Sequence, residues 1–89
     1  MRFALGRVVA TRNCLNHLVS IDASALPYLR RHQRGDWGNL GSSDKQANED
    51  AVLHGGRILS KYLLKDGTPI YVITEADRSY TTVMLVGDY

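Results

Sequence analysis

Arg57-Ile58-Leu59-Ser60-Lys61-Tyr62-Leu63-Leu64-Lys65-Asp66-Gly67-Thr68-Pro69-Ile70-Tyr71-Val72-Ile73-Thr74 is the stretch whose reading decides the fold. Two runs rich in β-branched and aromatic residues, 57–64 and 70–74, flank an Asp-Gly pair, the combination that marks a hairpin. The Asp66-Gly67 pair predicts a two-residue turn with positive φ angles. A third β-rich run over 81–86 continues the pattern into a three-stranded antiparallel meander. Within the first run, Leu59 and Leu63 fall on one face and Ile58, Tyr62 and Leu64 on the other, because side chains alternate along a strand. Helices cover one face of so small a sheet, so the second is left as an exposed patch or a contact, and Tyr62 and Tyr71 suit a half-wet interface.

Upstream of the meander the period changes to helical. Ser43 with Gln46 three residues on has the form of a capping box, opening a helix that runs to about His54 and stops at Gly55-Gly56. Its apolar residues, Ala47, Ala51 and Val52, are small, which predicts close packing or exposure. Before it, Arg34-Gly35-Asp36-Trp37-Gly38-Asn39-Leu40-Gly41 reads as a structured loop pinned by Trp37. Ser24 caps an earlier helix over 24–33, with Pro27 in its first turn, Leu26 and Leu29 on its core face, Arg30 and Arg31 near its C-terminus, and Gly35 at its stop. Thr11 or Asn13 caps a first helix carrying Cys14, Leu15 and Leu18 on one face, and 3–10 reads as an N-terminal strand. The expected architecture is α+β: one small domain over 1–89 in which the first strand joins the meander in one sheet, with two to three short helices.

Composition narrows the function classes. At 89 residues, with 44% hydrophobic and 22% charged side chains, the chain has a globular balance and holds one core. A domain of this length has a thin stability margin, which keeps a homodimer open. The net charge of +2 is too even for a protein that works mainly by neutralising phosphates. One cysteine, Cys14, and no long apolar segment point to the cytoplasm and away from membranes.

Several constellations carry possible chemistry. Thr74-Glu75-Ala76-Asp77-Arg78-Ser79-Tyr80-Thr81-Thr82 packs carboxylates, an arginine and hydroxyls between two strands: either a recognition loop in which Arg78 offers a bidentate fork, or a turn satisfying its own backbone. Trp37 beside Asp36 is a hot-spot candidate or a buried anchor. Asp44 and Asn48 share a helix face. The basic set Arg30, Arg31, His32 and Arg34 could grip phosphate, but lacks the aromatic interleaving of a single-strand binder. Cys14 and His17, with His32 and His54, include the residue types of a zinc site in a spacing too incomplete to define one. Asp36, Asp44 and Glu75 are the carboxylates from which a metal-dependent nuclease would be built, yet no spacing joins them. No cofactor or metal is implied.

Taken together, Gly35-Asp36-Trp37-Gly38, then Asp44, Asn48 and Ala51, then Gly55 and Arg57-Ile58-Leu59-Ser60, then Ile73-Thr74-Glu75-Ala76-Asp77-Arg78-Ser79 with Thr81-Thr82 and the terminal Asp88-Tyr89 resemble a family of short bacterial proteins. That family is carried on plasmids, phages and integrated elements. The likeness covers nearly the whole chain, departing near the end, where Val86-Gly87-Asp88-Tyr89 replaces a family ending with proline and glutamate. The resemblance brings no activity, cofactor or catalytic residue, but it implies a mobile-element setting. The first expectation is a non-catalytic accessory factor that binds a host protein, such as a restriction or CRISPR nuclease, with Asp36, Trp37, Asp44, Asn48, Arg57, Glu75, Asp77, Arg78 and Thr81 as partner-binding candidates. A nucleic-acid-binding regulator using Arg30, Arg31 and Arg34 is the first alternative, and a small metal-dependent hydrolase or nuclease around Glu75, Asp77 and Arg78 the second. The 35–38 loop and the 75–82 connection are expected to lie near one another around the third helix, forming one polar surface.

Overall fold

In the computed structural model, which describes all 89 residues, the hairpin forms between β2 (Ile58–Leu63) and β3 (Pro69–Thr74), paired from Ile58 with Thr74 to Leu63 with Pro69. Its turn differs from the expected two-residue type. The Gly67 N–H donates to the Leu64 carbonyl at 2.8 Å and the Leu64 N–H to the Thr68 carbonyl at 2.9 Å. Gly67, at φ 88°, is left-handed and Asp66 is not. The connection is therefore the three-residue Lys65-Asp66-Gly67 loop ending on a left-handed glycine, the next commonest hairpin solution. Asp66 supports it by accepting from the Thr68 N–H and hydroxyl.

β4 (Tyr80–Leu85) pairs antiparallel with β3, completing the meander. β1 (Arg7–Ala10) lies on the far side of β4 and runs parallel to it, Arg7 opposite Tyr80 through Ala10 opposite Val83, so the sheet is mixed with order β1-β4-β3-β2. β1 is shorter than the expected 3–10 because Gly6 turns the chain at φ 64°.

Three helices follow β1 in sequence: α1 (Arg12–Ser20), α2 (Leu26–Arg34) and α3 (Ser42–His54). Thr11 caps α1, its hydroxyl accepting from the Cys14 N–H at 3.2 Å. Ser24 holds the start of α2 through the Leu26 N–H, and left-handed Gly35 ends it. The expected Ser43–Gln46 capping box does not form: Gly41, two residues earlier, is the N-cap, which puts Ser43 inside the first turn, and Gln46 donates to Asp50 instead. Leu15 and Leu26, expected on core faces, are about half exposed, while Cys14, Leu18 and Leu29 are buried.

The alternation along the strands divides the sheet into two faces. Ile58, Ser60, Tyr62, Ile70, Val72, Thr74, Thr81 and Val83 form the covered face and are all buried. Cys14, Leu18 and Leu29 pack on it around Tyr62, Leu64, Ile70, Val72 and Val83. A second cluster of Trp37, Ala51 and Ile58, flanked by Phe3, Leu40 and Val52, joins α3 to the β2 edge. Tyr62, expected at a half-wet surface, is only 1% exposed: it shares the parity of Ile58, and α2 covers that face, Tyr28 meeting its ring at 5.6 Å. No helix is long and apolar enough to cross a membrane.

Candidate functional site

Four of the residues singled out from sequence work inside the fold. Arg78 occupies a left-handed conformation at φ 61° and aims its guanidinium inward. Its Nη1 donates to the carbonyls of Gly56 at 2.6 Å, Ala76 at 3.1 Å and Glu75 at 3.2 Å, and its Nη2 to that of Ala51 at 2.8 Å. It thus gives the Ala51 carbonyl, which already accepts from the Gly55 N–H, a second donor, and ties the β3–β4 connection to the end of α3. Trp37 is buried and donates from Nε1 to Glu49, whose carboxylate also takes a double hydrogen bond from Arg2. Those donors, Arg2 first and then Trp37, pull the Glu49 carboxyl down to about 2. Arg78 and Trp37 have Phe3 and Ala51 as common neighbours, so the 35–38 loop and the β3–β4 connection lie near one another at α3, but not as the expected polar surface: Trp37 is buried and the Arg78 guanidinium is spent on backbone carbonyls.

Asn48 closes a sheet edge. Its Nδ2 donates to the Leu59 carbonyl at 2.7 Å and its Oδ1 accepts from the Leu59 N–H at 3.0 Å, the pair of bonds a neighbouring strand would supply. One step along β2, the Lys61 N–H donates to the Trp37 carbonyl and the Lys61 carbonyl accepts from the Asn39 N–H. Gly38 lies so close to the Lys61 carbonyl and the Tyr62 ring that no Cβ would fit.

Thr81 is fully buried and ends a chain of hydroxyls that the sequence did not reveal. Its hydroxyl donates to the Leu5 carbonyl at 2.7 Å. A carbonyl only accepts, so the contact of 2.7 Å between Thr74 and Thr81 is donated by Thr74, and His32 Nε2 must donate to Thr74 Oγ1 at 2.9 Å. His32 Nδ1 is then bare and accepts from the Ser60 hydroxyl at 2.6 Å. The order puts a proton on Nε2, and burial, which pushes the imidazole down to about 4, keeps Nδ1 without one. His32 therefore does not belong with the basic surface set in which the sequence placed it. Its signal was its position three residues after Leu29, on the core side of α2.

The remaining candidates lie at the surface. Asp36 pairs with Arg31 at 2.7 Å and accepts from the Gly38 N–H; Arg31 lies 4.5 Å from the Tyr62 ring centre. Arg30 and Arg34 are exposed on α2. Glu75 and Asp77 line a shallow cleft of about 330 Å³ with Ala76, Ser79 and Tyr80, and Asp77 accepts from the Ser79 N–H. Asp44, Asn48 and Arg57 converge with Leu40, Ala47, Leu59 and Tyr71 on a groove of about 320 Å³ between α3 and the uncovered face. Asp36, Asp44 and Glu75 do not come together, nor do Cys14, His17, His32 and His54. Cys14 is a core residue whose thiol burial pushes up, and His17 bonds Asp66 and Thr68 in the hairpin loop.

The uncovered face carries Arg7 and Val9 from β1, Leu59, Lys61 and Leu63 from β2, Pro69, Tyr71 and Ile73 from β3, and Tyr80, Thr82 and Met84 from β4. Ile73 is buried among them, whereas Leu63 and Tyr80 are more than 40% exposed. Arg57, just before β2, donates to the Tyr89 hydroxyl, and the Tyr89 ring meets Tyr71 edge-on at 5.5 Å. Basic and aromatic groups thus surround an apolar strip with no acidic side chain on the strands themselves. No family model, curated protein or solved structure matches the chain.

Proposed function

We propose that the protein is a non-catalytic accessory factor that binds an acidic surface of another protein through the uncovered sheet face and the adjoining groove. The observation that carries this reading is the composition of that face: Leu59, Leu63, Tyr71 and Met84 form an apolar strip flanked by Arg7, Arg57 and Lys61. An apolar centre with a charged margin is the layout of a protein interface, and three cations against the one carboxylate of Asp44 in the groove favour a partner of opposite sign. Arg57 lies at the groove, where a partner carboxylate can replace the Tyr89 hydroxyl. The resemblance to mobile-element proteins supports a host protein as partner, with a restriction or CRISPR nuclease as the class to examine first.

The test is capture from a bacterial host lysate after nuclease treatment, comparing the wild type with a Lys61→Glu, Arg57→Ala double variant. Both side chains are clear of the core, so the variant should keep its thermal midpoint. A specific protein retained by the wild type and lost from the folded variant supports the reading. Retention that the variant leaves unchanged would sink it.

The alternative of a nucleic-acid-binding regulator gains one specific observation: Tyr71, Tyr80 and Tyr89 lie on or against the same face as Arg57 and Lys61, an arrangement on which unpaired bases stack. In this form the alternative uses the sheet face in place of Arg30, Arg31 and Arg34. It requires retention that nuclease abolishes and that weakens steeply with salt.

A further inference from the structure

The two edges of the sheet are treated differently. β2 is closed by Asn48 and by the Trp37–Asn39 backbone. β1 is open. Its Arg7 N–H donates to the Ser79 carbonyl, and the Thr11 N–H just beyond it to the Val83 carbonyl, so alternation turns the N–H and C=O groups of Val8 and Ala10 outward. Nothing within the chain pairs them, all four residues are exposed, and Val8 and Val9 are 46% and 37% accessible. Such an edge is a template for another extended backbone.

We propose that β1 pairs antiparallel with β1 of a second copy about a two-fold axis at Val9, joining two four-stranded sheets into one. The register follows from which groups point outward. Antiparallel strands exchange both backbone bonds at alternate positions, and only Val8 and Ala10 have theirs free, so Val8 faces Ala10 of the second copy and the reverse. Val9 then faces Val9 of the second copy at the closer, non-hydrogen-bonded position, a β-branched cross-strand pair of the kind that stabilises sheets. The same register sets Arg7 opposite Thr11, and the chain leaves the strand at Arg12, where α1 begins, so no like charges face one another across the paired strands. An isologous contact of this type closes on itself and cannot grow into a fibre. It also sets the two uncovered faces side by side on one sheet.

Sedimentation velocity over a concentration series reads the result directly. The wild type should move from 9.9 kDa toward twice that mass as concentration rises. Val8→Pro removes an outward N–H without touching the ladder to β4, and should remain monomeric with an unchanged circular dichroism spectrum. Val9→Lys and Val9→Glu should each raise the dimer dissociation constant at least tenfold, through like charges at the two-fold. An equimolar mixture of the two should form a dimer again. A wild type that stays at 9.9 kDa at every concentration overturns the proposal, as does a dimer indifferent to both Val9 substitutions. Should Val8→Pro fail to fold, the Val9 pair still decides.

Discussion

His32 shows how far one residue's surroundings can depart from its sequence neighbourhood. It sits between Arg31 and Gln33, with Arg30 and Arg34 close by, yet its ring is fully buried and bridges Ser60 on β2 to Thr74 on β3. Charging the ring would bury a cation whose polar partners are only the neutral hydroxyls of Ser60 and Thr74. Folding therefore favours the neutral form. Because the folded-state value, about 4, lies below the ordinary 6.5, the unfolded chain binds more protons between those limits. Stability is then full above pH 6.5 and falls as pH drops toward 4, by roughly 3 kcal/mol in all. Urea unfolding at pH 7.5 and pH 5 should show most of this difference, and His32→Leu should remove it. Above pH 5 the depressed carboxyls of Asp36, Glu49 and Asp88 contribute little, since their stabilisation is lost only as pH falls below the ordinary carboxylate range. A wild-type stability flat from pH 7.5 to 5 would contradict the buried neutral ring.

At the level of elements, the closed edge of β2 depends on one carboxamide. Asn48→Ala leaves the Leu59 N–H and carbonyl without partners at a part-buried position, a loss of about 2 to 3 kcal/mol. Asn48→Asp should be no better, because it keeps the acceptor but sets a second oxygen against the Leu59 carbonyl. Hydrogen exchange at the Leu59 amide should quicken in both variants, and an exchange rate equal to that of the wild type would show that α3 does not seal the edge. This device also marks the limit of what local sequence conveys. The β-rich runs, the hairpin, the Thr11 cap and the glycine that ends α2 were legible because each is written within a few residues. The parallel pairing of β1 with β4 was not, since it joins Arg7 to Tyr80 across most of the chain. Alternation separated Leu59 from Tyr62 correctly, but which of the two faces the helices cover is set by where α1 and α2 pack. Arg78 illustrates the same limit: its fork was recognised and two of its carbonyl partners, Glu75 and Ala76, are local, whereas the other two, Ala51 and Gly56, lie on α3 and just after it, remote in sequence.

Across the whole molecule, the segment before β1 holds together parts that the sheet alone does not. Phe3 meets the His32 ring edge-on at 5.1 Å, lies against Trp37 at 6.2 Å, and has the Arg78 guanidinium 5.8 Å from its ring centre. It therefore links α2, the 35–38 loop and the β3–β4 connection, while Arg2 beside it reaches Glu49 on α3 and the Leu5 carbonyl receives Thr81. Truncating this ring removes apolar contacts from three elements at once. Because Phe3 is only partly buried, Phe3→Ala should destabilise by about 2 to 3 kcal/mol, below the range for a fully enclosed phenylalanine. A second consequence separates this linking role from simple loss of packing. Opening the Phe3 side of His32 admits water to an imidazole that is neutral only because it is dry, so its folded-state value should rise toward 6.5. The difference in stability between pH 7.5 and pH 5 should then shrink in Phe3→Ala, while a comparably destabilising change remote from His32, such as Asn48→Ala, leaves it intact. Equal pH dependence in both variants would mean that the strands and α2 keep the ring dry without help from the N-terminal segment.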